Sequence, residues 1–204
     1  MTDQIILNGR TVTDIPGTII MKIKMHKSRA VTVSIITAAL LAAVIFVFLR
    51  SDMTRIFTLP SFAEPTDKTV GDDDGSITVT ETGRDIAVYD RGVKIWELPP
   101  EVRAQDFLFE DIDRDGQREA VILCWKRGRF GKHRPTWVKR DEIGWSQHIY
   151  IFEIDDGEVK PKWMASDIGM DAAHMGYEDG AIVITDTDGI VTKWKWISWG
   201  LEKM

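Results

Sequence analysis

Residues 110–123, EDIDRDGQREAVIL, join two signals that together decide the fold. The first half sets Asp111, Asp113 and Asp115 at alternate positions ahead of Gly116, and Glu119 stands at the ninth place. The second half opens the apolar run AVILCW, residues 120–125, which reads as a buried strand. An acidic turn that feeds directly into a strand excludes the helix-loop-helix calcium hand. That motif needs a bidentate Glu at position twelve, where this chain has Ile122. Alternation lets a tight loop turn three carboxylates inward, Gly116 permits the sharp bend, and the Gln117 carbonyl adds an oxygen. All of these donors are hard oxygens, so the cation expected is Ca2+ in a structural role, pinning a hairpin. The alternative is a solvated Asp-Gly turn that binds nothing; repulsion among three close carboxylates favours a cation.

Short apolar runs alternate with turn residues on either side. Residues 86–89 and 93–96 flank Asp90-Arg91-Gly92, residues 148–154 and 158–163 flank Asp155-Asp156-Gly157, and residues 181–185 and 190–197 flank Asp186-Thr187-Asp188-Gly189. Each triplet reads as a hairpin. In the last, Ile190, Thr192, Trp194 and Trp196 share one face, while Val191, Lys193, Lys195 and Ile197 share the other, and one face is expected to be wet. Trp96, Trp125, Trp163 and Trp194 recur near strand ends and suggest four related strand-turn-strand units with tryptophan in the core. Helical signal is confined to residues 30–49, with a turn near Pro100–Ala104.

The spacing Asp111, Asp113, Asp115, Gly116, Glu119 followed by a strand resembles the calcium loop of FG-GAP and VCBS repeats, the hairpins of integrin-α-type β-propeller blades. The resemblance implies Asp111, Asp113, Asp115 and Glu119 as side-chain ligands and Gln117 as a backbone ligand. It also implies a mainly β fold of antiparallel hairpins, propeller-blade-like or a partial propeller. The match is specific over about a dozen residues and loose elsewhere, and residues 76–204 are short for a closed ring of four-stranded blades.

Residues 30–49, AVTVSIITAALLAAVIFVFL, carry no charge over twenty positions. At about 1.5 Å per residue they match a hydrocarbon layer of about 30 Å, so one transmembrane helix is expected. Lys22, Lys24, Lys27 and Arg29 precede it, which keeps residues 1–29 as a short cytoplasmic tail. The expected order is this tail, the span, a linker over 50–75 and an extracytoplasmic β domain over 76–204. A cleaved signal peptide is the rival, and either outcome exports the C-terminal part.

Residues 1–50 carry a net charge of +4 and residues 51–204 a net charge of −10, and an acidic exported domain argues against nucleic-acid binding. Cys124 is the single cysteine, so no disulfide is available within the chain, and its simplest role is a small buried side chain. The local exception is residues 126–140, which hold seven Lys/Arg with Phe130 and Trp137 among them. Arg127, Arg129, Arg134, Trp137 and Trp145 are candidates for holding a polyanion or glycan. The plainer reading is a loop whose cations neutralise nearby acids.

No nucleophile elbow, phosphate loop, dinucleotide fingerprint or HExxH zinc motif occurs, and His26, His133, His148 and His174 are scattered without metal spacing. The expected function is a membrane-anchored, non-catalytic binding or assembly module of the cell envelope. Its partner would be an envelope protein or surface polyanion, and oligomerisation is left open. The competing reading is an accessory subunit or degenerate enzyme acting on extracellular glycan.

Overall fold

The computed structural model describes residues 32–46, 52–130, 134–165 and 167–204, and the chain divides into two compact units between Ser51 and Asp52. In the first unit residues 32–46 form helix α1, whose residues are exposed throughout. The expected tail 1–29 and both ends of the expected span 30–49 lie outside the described residues. Among the described residues no helix is long and apolar enough to cross a membrane.

The second unit is built from three four-stranded antiparallel sheets, each a meander in chain order. The first holds β1 (Thr69–Gly71), β2 (Ile77–Thr82), β3 (Asp85–Asp90) and β4 (Val93–Glu97). The middle sheet holds β5 (Val102–Glu110), β6 (Glu119–Arg127), β7 (Trp145–Asp155) and β8 (Glu158–Met164). The third holds β9 (Ala172–Glu178), β10 (Ala181–Asp186), β11 (Val191–Ile197) and β12 (Gly200–Lys203). Three of the hairpins close through two residues that both have positive φ: Arg91 and Gly92 at 47° and 80°, Asp156 and Gly157 at 49° and 76°, Asp179 and Gly180 at 53° and 76°. This backbone follows the twist of the paired strands, and the glycine takes the second place at no steric cost.

The middle sheet is covered on both faces. Val79, Ile86 and Val88 of the first sheet pack against Phe107, Phe109, Ile122 and Phe152. On the opposite face Val121, Leu123, Ile149 and Ile151 meet Met175, Ile182 and Ile184 of the third sheet. The run AVILCW is therefore continuous because alternate β6 residues enter different cores, as period-two geometry requires of a strand buried on both sides. The outward sides of the terminal sheets are polar: Thr69 pairs with Thr80 at 3.1 Å, and Lys193 with Glu178 at 3.6 Å.

Along β5 the ladder slips between Ala104 and Asp106, leaving Gln105 as an extra residue. The bulge reverses side-chain parity, so Val102 and Ala104 before it and Phe107 and Phe109 after it all reach the same core. Pro100–Ala104, expected as a turn, instead runs into this strand. The expected linker also contributes to the folded unit, with a 3₁₀ turn at Asp52–Ile56, a buried Ala63 and strand β1. Four tryptophan units are replaced by three sheets: Trp96, Trp125, Trp163 and Trp194 fall on β4, β6, β8 and β11, which are unequal places in their meanders. All four nevertheless turn inward, Trp125 completely.

Candidate functional site

Residues 111–118 link β5 to β6 at one end of the stack. Arg114 and Gly116, with φ of 65° and 95°, fold the loop back on itself. Asp111, Asp113 and Asp115 each present an oxygen, and these three oxygens lie within 4.8 Å of one another. The loop's own N–H groups hold them in place. Asp115 N donates to Asp111 Oδ1 and Asp113 Oδ1, both at 3.2 Å, Gly116 N donates to Asp111 Oδ2 at 3.0 Å, and Gln117 N donates to Asp115 Oδ1 at 2.8 Å. A carboxylate oxygen that accepts one such bond keeps a second lone pair, so this donor set fits a hard cation.

Glu119 stands apart from that group. It is buried, its Oε2 accepts the Ile112 N–H at 3.1 Å, and its Oε1 accepts Lys162 Nζ at 2.7 Å. Lys162 on β8 also donates to Asp113 Oδ2, and its ammonium lies 5.7 Å from the Trp196 ring. Burial raises the Glu119 pKa, against the lowering effect of Lys162 and the Ile112 N–H. Burial works to lower the Lys162 pKa, but the hydrogen bonds it donates to Asp113 and Glu119 outweigh this and raise it. A protein cation thus occupies the ninth-position carboxylate and shares Asp113.

The loop touches all three sheets. Lys162 reaches it from the middle sheet, and the Tyr177 hydroxyl on β9 donates to Asp111 O at 2.9 Å. Arg118 donates to Gly71 O on β1 at 3.2 Å and pairs with Asp73 at 2.6 Å. Residues 49 and 66 positions away complete the site, and the sequence carries no spacing signal for either.

The basic segment lies at the other end of β6, nine residues and so about 27 Å away. Arg127 donates from Nη1 to Ile56 O at 2.7 Å and to Ile143 O at 3.4 Å, and its guanidinium sits 4.9 Å from the Trp145 ring. Arg129 pairs with Asp167 and, at 3.8 Å, with Glu142. Among the candidate ligand-binding residues, therefore, Arg127, Arg129 and Trp145 are engaged within the chain. Arg134 and Trp137 stand exposed, Trp137 at 82%. An open cleft of about 980 Å³ at this end is bordered by Arg55, Arg129, Arg140, Trp145 and Asp171, and neither Arg134 nor Trp137 lines it.

This end also carries a buried polar clasp. Gln105, turned inward by the bulge, donates to Ala172 O at 3.0 Å and to Ala173 O at 3.1 Å. Its Oε1 accepts Trp125 Nε1 at 2.7 Å and Gln147 Nε2 at 2.8 Å. Gln147 takes the Ala172 N–H at 2.7 Å and donates to Ala172 O at 2.8 Å, so two glutamines of the middle sheet grip the start of β9. His148 beside them is fully buried between Ser146 Oγ and Ala165 O, both at 2.9 Å, and burial lowers its pKa. Cys124 is buried as well, its thiol pKa pushed up by burial.

No protein-family model matches this chain, and no curated protein or solved structure matches it.

Proposed function

We propose that this chain is a membrane-anchored, non-catalytic binding or assembly module of the cell envelope, whose three sheets are propeller-type blades fastened by calcium. Asp111, Asp113 and Asp115 would hold the ion, with the Gln117 carbonyl beside them, while Lys162 keeps Glu119 for the protein's own ion pair. The carrying observation is that these three carboxylates converge within 4.8 Å on a loop that hydrogen-bonds to strands on either side of its own sheet. A cation there would stiffen a loop that bonds to all three sheets. Stacked four-stranded meanders with covered inner faces support the blade reading. The polar outer faces favour an open stack over a ring, since every blade of a ring packs both faces against neighbours.

Exposed Val33, Ile36, Leu40, Leu41, Val44 and Phe46 lie on every side of α1. A helix apolar all round belongs in lipid or in a core, which supports the membrane anchor. Engagement of Arg127 by two backbone carbonyls and of Arg129 by two carboxylates weighs against a glycan floor built on those residues. Reporter fusions test the arrangement. An enzyme that folds only outside the cytoplasm is expected to be active when fused after Met204 and inactive when fused before Met21. The reverse pattern would overturn the proposal.

A further inference from the structure

The chain enters the β unit at the basic end of the stack. The turn Asp52–Ile56 is held there by Arg127 on Ile56 O, by an Arg55–Asp171 ion pair, and by the Arg55 guanidinium 5.6 Å from the Trp125 ring. Because Arg127 binds Ile56 O and Ile143 O together, residues 56–57 and 143 are fixed at one surface. Three large apolar side chains are exposed at this end: Trp137 at 82%, Ile143 at 69% and Phe57 at 66%. Arg134, Lys139 and Arg140 are exposed with them and form no ion pair among the described residues. Lone exposed apolar residues are ordinary, but aromatic and aliphatic groups gathered among unpaired cations are not what water selects. They are what a headgroup layer selects, with rings at the depth of the glycerol region and cations on phosphates.

Connectivity gives the same direction. Only Arg50 and Ser51 lie between Leu49, the last of the proposed span, and Asp52, and three extended Cα steps reach about 10 Å. We propose that Trp137, Ile143 and Phe57, with Arg134, Lys139 and Arg140, form an interfacial contact with the lipid headgroups of the membrane that holds residues 30–49. The contact rests on the anchor reading above. It fixes the β unit with its basic end on the bilayer and its acidic loop about 27 Å farther out, presented to the aqueous side. A soluble polyanion would use the same cations but would leave the three apolar groups in water.

The test uses the full chain in lipid nanodiscs, with an environment-sensitive dye on single introduced cysteines; buried Cys124, with its raised thiol pKa, stays unlabelled. Dye on Thr136→Cys is expected to be quenched by headgroup-level spin-labelled lipid several-fold more than dye on Glu158→Cys at the far end. Trp137→Ser should lower that quenching in any disc, and Arg134→Glu with Lys139→Glu and Arg140→Glu should lower it most in discs containing phosphatidylglycerol. Equal quenching at 136 and 158, with dye on Ala38→Cys still quenched by lipid spin-labelled deep in the acyl chain, would overturn the interfacial contact and leave the anchor standing. An unquenched probe at 38 would remove the anchor and the contact together. Shielding of position 136 by dextran sulfate in detergent, without quenching in discs, would give the surface to a polymer and overturn the lipid assignment.

Discussion

Lys162 is the residue on which the acidic end turns. Its ammonium neutralises a carboxylate that is 2% exposed and another that is 17% exposed, with its own side chain only 15% exposed. A pair this buried contributes little net stability over an apolar equivalent, yet removing one partner strands a charge out of water. Lys162→Met is therefore expected to lower the unfolding free energy by about 3 kcal/mol at neutral pH. The loss depends on pH with a definite sign. The Glu119 pKa is already raised by burial, and without the ammonium it rises further, so the folded state binds a proton that the unfolded state does not. The variant should recover stability as pH falls through that raised pKa toward the ordinary carboxylate value, whereas the parent chain should not show the same recovery. Denaturant titrations of both chains at neutral and mildly acidic pH measure this. A variant as stable as the parent at neutral pH would show that Lys162 is not a buried partner.

At the scale of elements, the hairpins visible in the sequence are those with strong local chemistry. An acidic or basic residue followed by glycine at positive φ closes β3–β4 and β7–β8, and alternation along β11 separates Trp194 and Trp196 from Lys193 and Lys195. β2 and β12 also escape notice in the sequence, and the three other strands that do so break local rules. β5 contains Arg103 and Asp106 and loses its period at the Gln105 bulge, β9 has no β-branched residue, and β1 is three residues long. Their pairing is decided by what covers them. β5 is ordered by cores on both faces and by the glutamine clasp. The clasp gives a prediction at this scale. Gln147→Leu keeps the volume but leaves the buried N–H of Ala172 without its glutamine acceptor and its C=O with the Gln105 bond alone, at about 1–3 kcal/mol for the stranded N–H. Hydrogen exchange should show β9 opening in this variant well before β6. Uniform loss of protection across all three sheets would contradict the clasp as a local fastener.

At the scale of the whole molecule, the two ends of the stack differ in chemistry because β6 carries acid-loop residues before it and basic residues after it. The three aspartates were legible from spacing alone, and they do converge. Glu119, expected as a ligand at the ninth place, bonds to Lys162 and the Ile112 N–H, a pairing that no periodicity announces because Lys162 is distant in sequence. The internal engagement of Arg127 and Arg129 was equally hidden, since their partners are the carbonyls of residues 56 and 143 and the carboxylates of residues 142 and 167. The proposal that calcium fastens the three sheets makes the strongest demand on this arrangement. An exposed, loop-built calcium site would have a dissociation constant of about 0.1–1 mM, and ligand at several times that value would stabilise by about 1 kcal/mol or more. Each kcal/mol moves the melting temperature of a unit this size by about 2–4 °C. The decisive measurement is the melting temperature of the full chain in detergent, in chelator and in millimolar calcium, beside Asp113→Ala. A rise of about 2 °C or more with calcium in the parent chain, absent in Asp113→Ala, is the predicted result, and equal melting of the parent chain in chelator and calcium would contradict it.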